Sequence, residues 1–283
     1  MKIRALLGPT ASHLQQAGID EARLEAELLL RNLFGLSRVE LHLTDREVTA
    51  DELGRLAALV ERRCQREPLA YILGEQEFWS LAFTVSPAVL IPRPETELLI
   101  EQVMARIQDP LTFSGSILDL GSGSGVIPVV LARELPQARL VGVDISPAAL
   151  AVAAENARRH GVDGRIVWQP SHWFAHLAAG SRYSFVVSNP PYVAELSRST
   201  LQPELAYEPS TALFAGADGL SDLRQLIAQS PAFLESGGWL LLEIGYDQGA
   251  MVESLLQAQC ELESIEIVRD YAGLDRLALA RKI

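Results

Sequence analysis

Residues 188–193 read Ser-Asn-Pro-Pro-Tyr-Val, directly after the run "YSFVV". That run of β-branched and aromatic residues predicts a buried strand over 183–188. Proline has no N–H and a locked φ, so Pro190 and Pro191 stop the strand. They also leave the preceding carbonyl oxygens without competing donors. Asn189 adds a side-chain carbonyl, and Tyr192 adds a flat ring able to cover one face of a planar group. Asn189, Pro190, Pro191 and Tyr192 therefore form a rigid set of acceptors suited to the NH₂ of an amide or of an aromatic ring. The lone pair of such a nitrogen is delocalised and weakly nucleophilic. Acceptors that hold both hydrogens favour a pyramidal nitrogen whose lone pair points at an electrophile. Positioning and fixed dipoles then supply the catalysis. The proton leaves once the nitrogen is cationic, so no strong base is needed, and no obvious catalytic His or Cys stands in the sequence.

A second constellation precedes this one. "LDLGSGSGVI" joins a predicted strand at 116–120 to a helix through Gly121, Ser122, Gly123, Ser124 and Gly125. Three glycines in five residues let the backbone turn sharply and approach a ligand closely. "VGVDISP" ends the next predicted strand on Asp144, where a carboxylate can accept from two ribose hydroxyls. Ser146 and Pro147 then open a helix as N-cap and first residue. A glycine loop followed about 20 residues later by a strand-end acid signals an adenosine-bearing ligand, with a nicotinamide dinucleotide and S-adenosylmethionine both open. The spacing here is G-x-G-x-G behind Asp119, which departs from the dinucleotide pattern G-x-G-x-x-G.

The elements that must position these residues follow from periodicity. Strands are predicted at 116–120, 139–144, 165–169, 183–188, 239–244, 263–268 and 276–281, with helices in most of the gaps. Alternating βα order with continuous apolar strands implies a parallel, doubly wound sheet covered on both faces. Only "RDYAGLD" separates the last two strands, so they form an antiparallel pair at the sheet edge. That ending resembles the S-adenosylmethionine-dependent methyltransferase (Rossmann-like) fold, in which the electrophile is a sulfonium methyl. Residues 11–70 instead carry helical stripes, such as Leu24, Leu28, Leu29 and Leu33, bounded by Asp20 and Gly35 as caps. Thr49 and Glu52 predict a capping box. The stretch 76–94 is aromatic, β-branched and rich in proline, and reads as a β-hairpin link. The expected organisation is a small all-α helical bundle (1–75), a hairpin linker (76–95) and a seven-stranded α/β domain (96–283).

The net charge is −12. Residues 1–70 hold 10 Lys/Arg against 11 Asp/Glu, and residues 71–283 hold 14 against 25. An acidic α/β domain repels a phosphate backbone, so no direct nucleic-acid binding is expected. No apolar run reaches the roughly 20 residues of a membrane span, and the N-terminus lacks a signal-peptide core. Cys64 and Cys260 make neither a disulfide framework nor a metal-ligand spacing. The expectation is a soluble, cytoplasmic protein with no membrane partner and no metal.

The chain resembles the release-factor glutamine methyltransferases, the PrmC/HemK family. The resemblance covers nearly the whole chain and rests on "REPLAYILGEQEFWSLAFTVSPAVLIPRPETE", "ILDLGSGSGVI", "VGVDISPAALAVAAENA", "SNPPYV", "YEPSTALFAGADGL" and "GGWLLLEIGYDQG". Asn-Pro-Pro-Tyr is shared with adenine and cytosine amino-methyltransferases; the long linker motif carries the family identification. The resemblance implies methyl transfer from S-adenosyl-L-methionine to the glutamine amide in the Gly-Gly-Gln motif of release factors, leaving S-adenosyl-L-homocysteine. A ribosomal-protein glutamine methyltransferase and, more distantly, an N6-adenine methyltransferase are the alternatives. It further implies that Gly121, Ser122, Gly123, Ser124 and Gly125 hold the cofactor's methionine end, Asp144 its ribose and Trp173 its adenine side. Asn189 would touch cofactor and substrate, with Asn189 to Tyr192 holding the amide. Arg93 and Thr96 are expected to frame the cofactor's methionine end or the substrate entrance. His172 stands where the family often has an acid, and is expected in a surface loop. The helical bundle is expected to recognise the protein substrate.

Overall fold

Residues 1–283 are described by a computed structural model. The chain divides into two compact units. One comprises Met1–Glu75 with Gln202–Tyr207, the other Gln76–Leu201 with Glu208–Ile283.

The second unit is built on a seven-stranded sheet. Its strands are β3 (Ser116–Leu120), β4 (Arg139–Asp144), β5 (Ile166–Pro170), β6 (Tyr183–Ser188), β7 (Leu234–Glu243), β8 (Leu262–Arg269) and β9 (Asp275–Lys282). The order is β5-β4-β3-β6-β7-β9-β8, parallel except for β9, which runs antiparallel to both neighbours. The predicted edge pair is thus present. The order reverses between β3 and β6, the place where open α/β sheets bind ligands. Leu120 pairs with Ser188 there, and Ser188 Oγ donates to the Leu120 carbonyl at 2.6 Å. That register sets the glycine loop beside Asn189.

Helices α6 (Glu97–Ala105), α7 (Val126–Glu134), α8 (Pro147–Arg159), α9 (Ser221–Gln229) and α10 (Gly249–Gln257) cover the sheet. One apolar cluster joins Leu99, Val130 and Leu131 to Ile117 and Val187; another joins Leu223, Leu226 and Val252 to Leu118 and Val186. Successive residues of β3 and β6 therefore feed opposite layers, as the period of a strand requires. Each fully buried aliphatic side chain contributes roughly 2 kcal/mol. Ser146 Oγ accepts from Ala149 N at 3.2 Å with Pro147 behind it, so α8 starts as its sequence implies.

β7 begins at Leu234, five residues before the expected 239. Its register with β6 shifts between Tyr183 and Phe185. Gly237 (φ 79°) and Gly238 let pairing continue through the irregularity: a Cβ at Gly238 would lie 3.0–3.1 Å from three carbonyl oxygens. The hairpin is β1 (Glu75–Phe78) and β2 (Leu81–Thr84), and the remainder of the expected linker, up to Arg93, is irregular.

The first unit is a bundle of α1 (Leu7–Gln16), α2 (Ala22–Phe34), α3 (Arg38–Leu43), α4 (Ala50–Cys64) and α5 (Leu69–Leu73) around Leu14, Leu29, Leu30, Leu41, Leu56 and Val60. The Thr49–Glu52 capping box forms in both directions, and Gly35 ends α2 in the left-handed conformation. Asp20 does not cap α2. The N-cap is Glu21, so Asp20 stands one position outside the reach of the free N–H groups. Residues 202–207 complete this unit. Buried Arg63 donates to Glu25 and to Glu204, Arg66 pairs with Glu204, and the Tyr207 hydroxyl donates to the Gln65 carbonyl at 2.7 Å. No helix is long and apolar enough to cross a membrane.

Candidate active site

The glycine loop and the end of β4 form one wall of a cavity of about 300 Å³, within the usual range for small-molecule sites. Gly121 and Ser122 both donate to the Val143 carbonyl, at 2.8 and 2.9 Å, which pins the loop across the tip of β4. Gly121, Gly123 and Gly125 all have positive φ. Gly125 has a second constraint, because a Cβ there would sit 2.8 Å from Ala153 Cβ and 3.0 Å from Trp168. Asp144 Oδ2 accepts from Gly123 N at 2.9 Å and Oδ1 from Ser146 N at 2.8 Å. One N–H on each oxygen fixes the carboxylate and leaves lone pairs facing the cavity it lines.

Asp119, under the loop, is 1% exposed and neither carboxylate oxygen has a hydrogen-bond partner. Burial pushes its pKa up to about 7; the Ser122 hydroxyl pulls against that shift and the Asp144 charge adds to it. A buried carboxylate without a partner marks a place where positive charge is wanted. The donor set thus fits an adenosine-bearing ligand with a cationic end. Gly121–Ser124 offer a backbone cradle and Asp144 two acceptors at the cavity, with the Asp119 carboxyl buried beneath the loop.

Trp173 is 8% exposed, with φ of 50°, and lines the cavity. Its ring packs 3.2 Å from where a Gly121 Cβ would stand, and its Nε1 donates to Asp222 Oδ1 at 3.1 Å. Asp222 also lines the cavity; burial raises its pKa, while Trp173 and the nearby His172 hold the shift back. His172 is exposed, as expected, yet it lies on the cavity rim.

Asn189 and Pro191 line the same cavity, whereas Pro190 and Tyr192 do not. Asn189 Nδ2 donates to Thr96 Oγ1 at 3.0 Å, which leaves Oδ1 for a ligand. Thr96 Oγ1 donates to Glu243 Oε2 at 2.7 Å, and the Tyr192 hydroxyl donates to Glu243 Oε1 at 3.1 Å. The Tyr192 ring packs against the apolar cluster, and burial with the Glu243 charge raises its pKa. Tyr192 in this arrangement braces the motif; it does not present its face to the cavity.

Thr96 is 2% exposed and works as an anchor for Asn189. Arg93 lines the cavity but is paired with Glu208, whose other oxygen accepts from Ile91 N at 3.0 Å. Glu208 thereby ties down the segment that supplies Ala88, Val89 and Leu90 to the cavity wall. Glu243 and Asp222 carry structure in the site without any sequence expectation attached. For Glu243 a signal was available: it is the single charge in "WLLLEI", and a lone carboxylate in a buried strand must find partners.

Comparison with known proteins places this geometry. The PrmC N-terminal domain family matches residues 5–74, and the methyltransferase small domain family matches residues 94–217. A release factor glutamine methyltransferase of Vibrio cholerae serotype O1 is 41% identical over 281 residues, covering 99% of this chain and 96% of that one. Its counterpart in Geobacter sulfurreducens is 41% identical over 283 residues, with the same coverage of 99% and 96%. Among solved structures, the hMettl16 catalytic domain bound to a MAT2A 3′UTR hairpin aligns with a TM-score of 0.58 at 18% identity, covering 83% of this chain and 82% of that one. The T. thermophilus 16S rRNA N2 G1207 methyltransferase RsmC, solved with AdoMet and guanosine, aligns with a TM-score of 0.54 at 20% identity, over 74% of this chain and 50% of that one. At these identities the two structures share the fold alone, the Rossmann-like methyltransferase fold expected from the strand order. Full-length identity of about 40%, together with both matched domains, establishes that the chain belongs to the release factor glutamine methyltransferase family.

Proposed function

We propose that this protein transfers a methyl group from S-adenosyl-L-methionine to the side-chain amide nitrogen of the glutamine in the Gly-Gly-Gln motif of peptide chain release factors, in the cytoplasm. S-adenosyl-L-homocysteine is the second product, and no metal is assigned. The observation that carries the reading is Asn189: its NH₂ is committed to Thr96, so its carbonyl oxygen is the group offered at a cavity shared with the glycine loop.

S-adenosylmethionine, when bound, supplies an electrophilic sulfonium methyl. Gly121–Ser124 and Asp144 orient it, Asp119 beneath the loop adds negative charge, and Trp173 and Asp222 line the same cavity beside Gly121. Asn189 Oδ1, which lines the cavity, accepts one hydrogen of the incoming amide, and a backbone carbonyl of the Asn-Pro-Pro turn at the cavity edge accepts the other. Pro190 and Pro191 keep competing N–H donors away from that position. Holding both hydrogens out of the amide plane localises the nitrogen lone pair, and the fixed dipoles favour the positive charge that develops there. The first unit, matched by the family's N-terminal domain, recognises the protein substrate, and the acidic second unit is expected to bind no nucleic acid directly.

The test is a labelled methyl donor offered with a release factor, with ribosomal protein and with DNA in separate reactions. Label on the glutamine of the release factor's Gly-Gly-Gln loop supports the reading. Label confined to ribosomal protein or to DNA refutes it.

A further inference from the structure

Glu243 ends β7 and is fully buried, with one hydrogen bond to each carboxylate oxygen. Thr96 has a single hydroxyl hydrogen. An ionised carboxylate has no hydrogen to give, so Thr96 must spend its own on Glu243 Oε2. The Thr96 oxygen is then an acceptor only, and it accepts from Asn189 Nδ2. The amide of Asn189 has two ends, so fixing the NH₂ inward turns Oδ1 toward the cavity. Every hydrogen in the chain Asn189–Thr96–Glu243 is directed by the charge at its far end.

We propose that Glu243 is a positioning residue that sets the donor–acceptor polarity of Asn189 through Thr96, and so makes the site an acceptor for an NH₂ group. The inference rests on the amide transfer proposed above and names what keeps that acceptor facing the substrate. A proton on Oε2 reverses the chain: Glu243 donates to Thr96, Thr96 donates to Asn189 Oδ1, and the Asn189 NH₂ faces the cavity. Donor then meets donor, and the amide substrate is no longer held.

The groups around Glu243 decide when this happens. Tyr192 donates from the segment after β6, Arg276 on β9 favours the charged form, and Glu95 in the turn before α6 opposes it. Arg276 is itself paired with Asp270, and Arg93 acts on Tyr192. Burial outweighs the favourable partners and pushes Glu243 up to about 6, so the reversal falls inside an assayable pH range.

The experiment compares the wild type with Thr96→Ser, Thr96→Val and Glu243→Gln between pH 5 and 8. Methyl transfer to a release factor gives kcat, and calorimetry gives S-adenosylhomocysteine affinity. The wild type and Thr96→Ser are expected to lose kcat below about pH 6. Thr96→Val, which cannot relay, is expected to fall about 100- to 1000-fold in kcat at pH 7.5 with cofactor affinity within about threefold, as for loss of one fixed polar contact in an active site. Its acid limb should disappear, as should that of Glu243→Gln, which cannot titrate. An acid limb that persists in either variant overturns the proposal, as does full activity in Thr96→Val. A second readout needs no turnover. The Asn189 side-chain NH₂ resonances should titrate with a midpoint near pH 6 in the wild type and stay flat in Thr96→Val. A wild type that methylates no release factor but shows this titration refutes the substrate reading alone; equal titration in both proteins refutes the relay.

Discussion

Two glycines of the same loop should fail in opposite ways. At Gly125, φ is 80°, and an L-residue in the left-handed region costs roughly 1–2 kcal/mol. A new Cβ would also stand 2.8 Å from Ala153 Cβ and 3.0 Å from Ala153 Cα. The second contact is to the backbone of α8, which cannot rotate away, and overpacking of this kind costs roughly 1–3 kcal/mol. Gly125→Ala is therefore expected to destabilise the second unit by about 2–5 kcal/mol, a fall in Tm of roughly 4–20 °C at 2–4 °C per kcal/mol. At Gly123, φ is 53° and a Cβ would meet nothing within 4 Å. Its cost is the conformational part alone, about 1–2 kcal/mol. The open space beside Gly123 belongs to the cavity, so its methyl occupies the ligand's place. Gly123→Ala should lower S-adenosylhomocysteine affinity at least about tenfold, or 1.4 kcal/mol, while losing only a few degrees of Tm. Melting followed by circular dichroism and titration calorimetry would measure both. The reasoning is refuted if Gly123→Ala melts below Gly125→Ala, or if it binds the cofactor product as the wild type does.

Three further outcomes are expected. Asn189→Ala should abolish methyl transfer while largely retaining cofactor-product affinity by calorimetry; near-full activity would contradict the acceptor role. For Asp119 the unfolded carboxylate ionises near 3.8 and the folded one near 7, so the folded state keeps a proton that the unfolded state has lost. Its contribution to stability is greatest below about pH 4 and is lost as pH rises to about 7, by up to roughly 4 kcal/mol. Asp119→Asn should flatten the Tm-against-pH curve of the cofactor-free protein across that window and weaken cofactor-product binding. Thr49→Ala removes one half of the capping box on α4 and should cost about 1 kcal/mol in a melt of the first unit, with methyl transfer unchanged.

Much of this architecture is legible in the linear chain because it is local. The strand at 183–188 and its proline stop, the Ser146–Pro147 helix start and the Thr49–Glu52 cap depend on neighbours within four residues. The placement of Asn189 beside Gly121 is set by the pairing of Leu120 with Ser188 where the strand order reverses. What the chain did not disclose is long-range polar pairing. Thr96 and Glu243 lie 147 residues apart, and nothing local shows that one donates to the other. Tyr192 was read by its ring, whereas its hydroxyl decides its place. Arg93, expected from the sequence to frame the cofactor's methionine end or the substrate entrance, has its charge paired with Glu208. Asp20 failed as a cap by a single residue, which propensity does not resolve.

The contact between residues 202–207 and the helical bundle has a consequence for synthesis on the ribosome. Arg66 and Glu204 are 138 residues apart in the chain. At about 5–20 residues per second, roughly 7–28 s pass between the translation of one and of the other. During that interval the nascent bundle holds Glu25 as a partner for Arg63 but lacks the carboxylate that serves both arginines. The bundle leaves the ribosome first and is completed only after the first four strands of the large sheet have been made. A fragment ending at residue 75 reproduces that waiting state, and supplying the 202–207 peptide in trans would be the means of ending it.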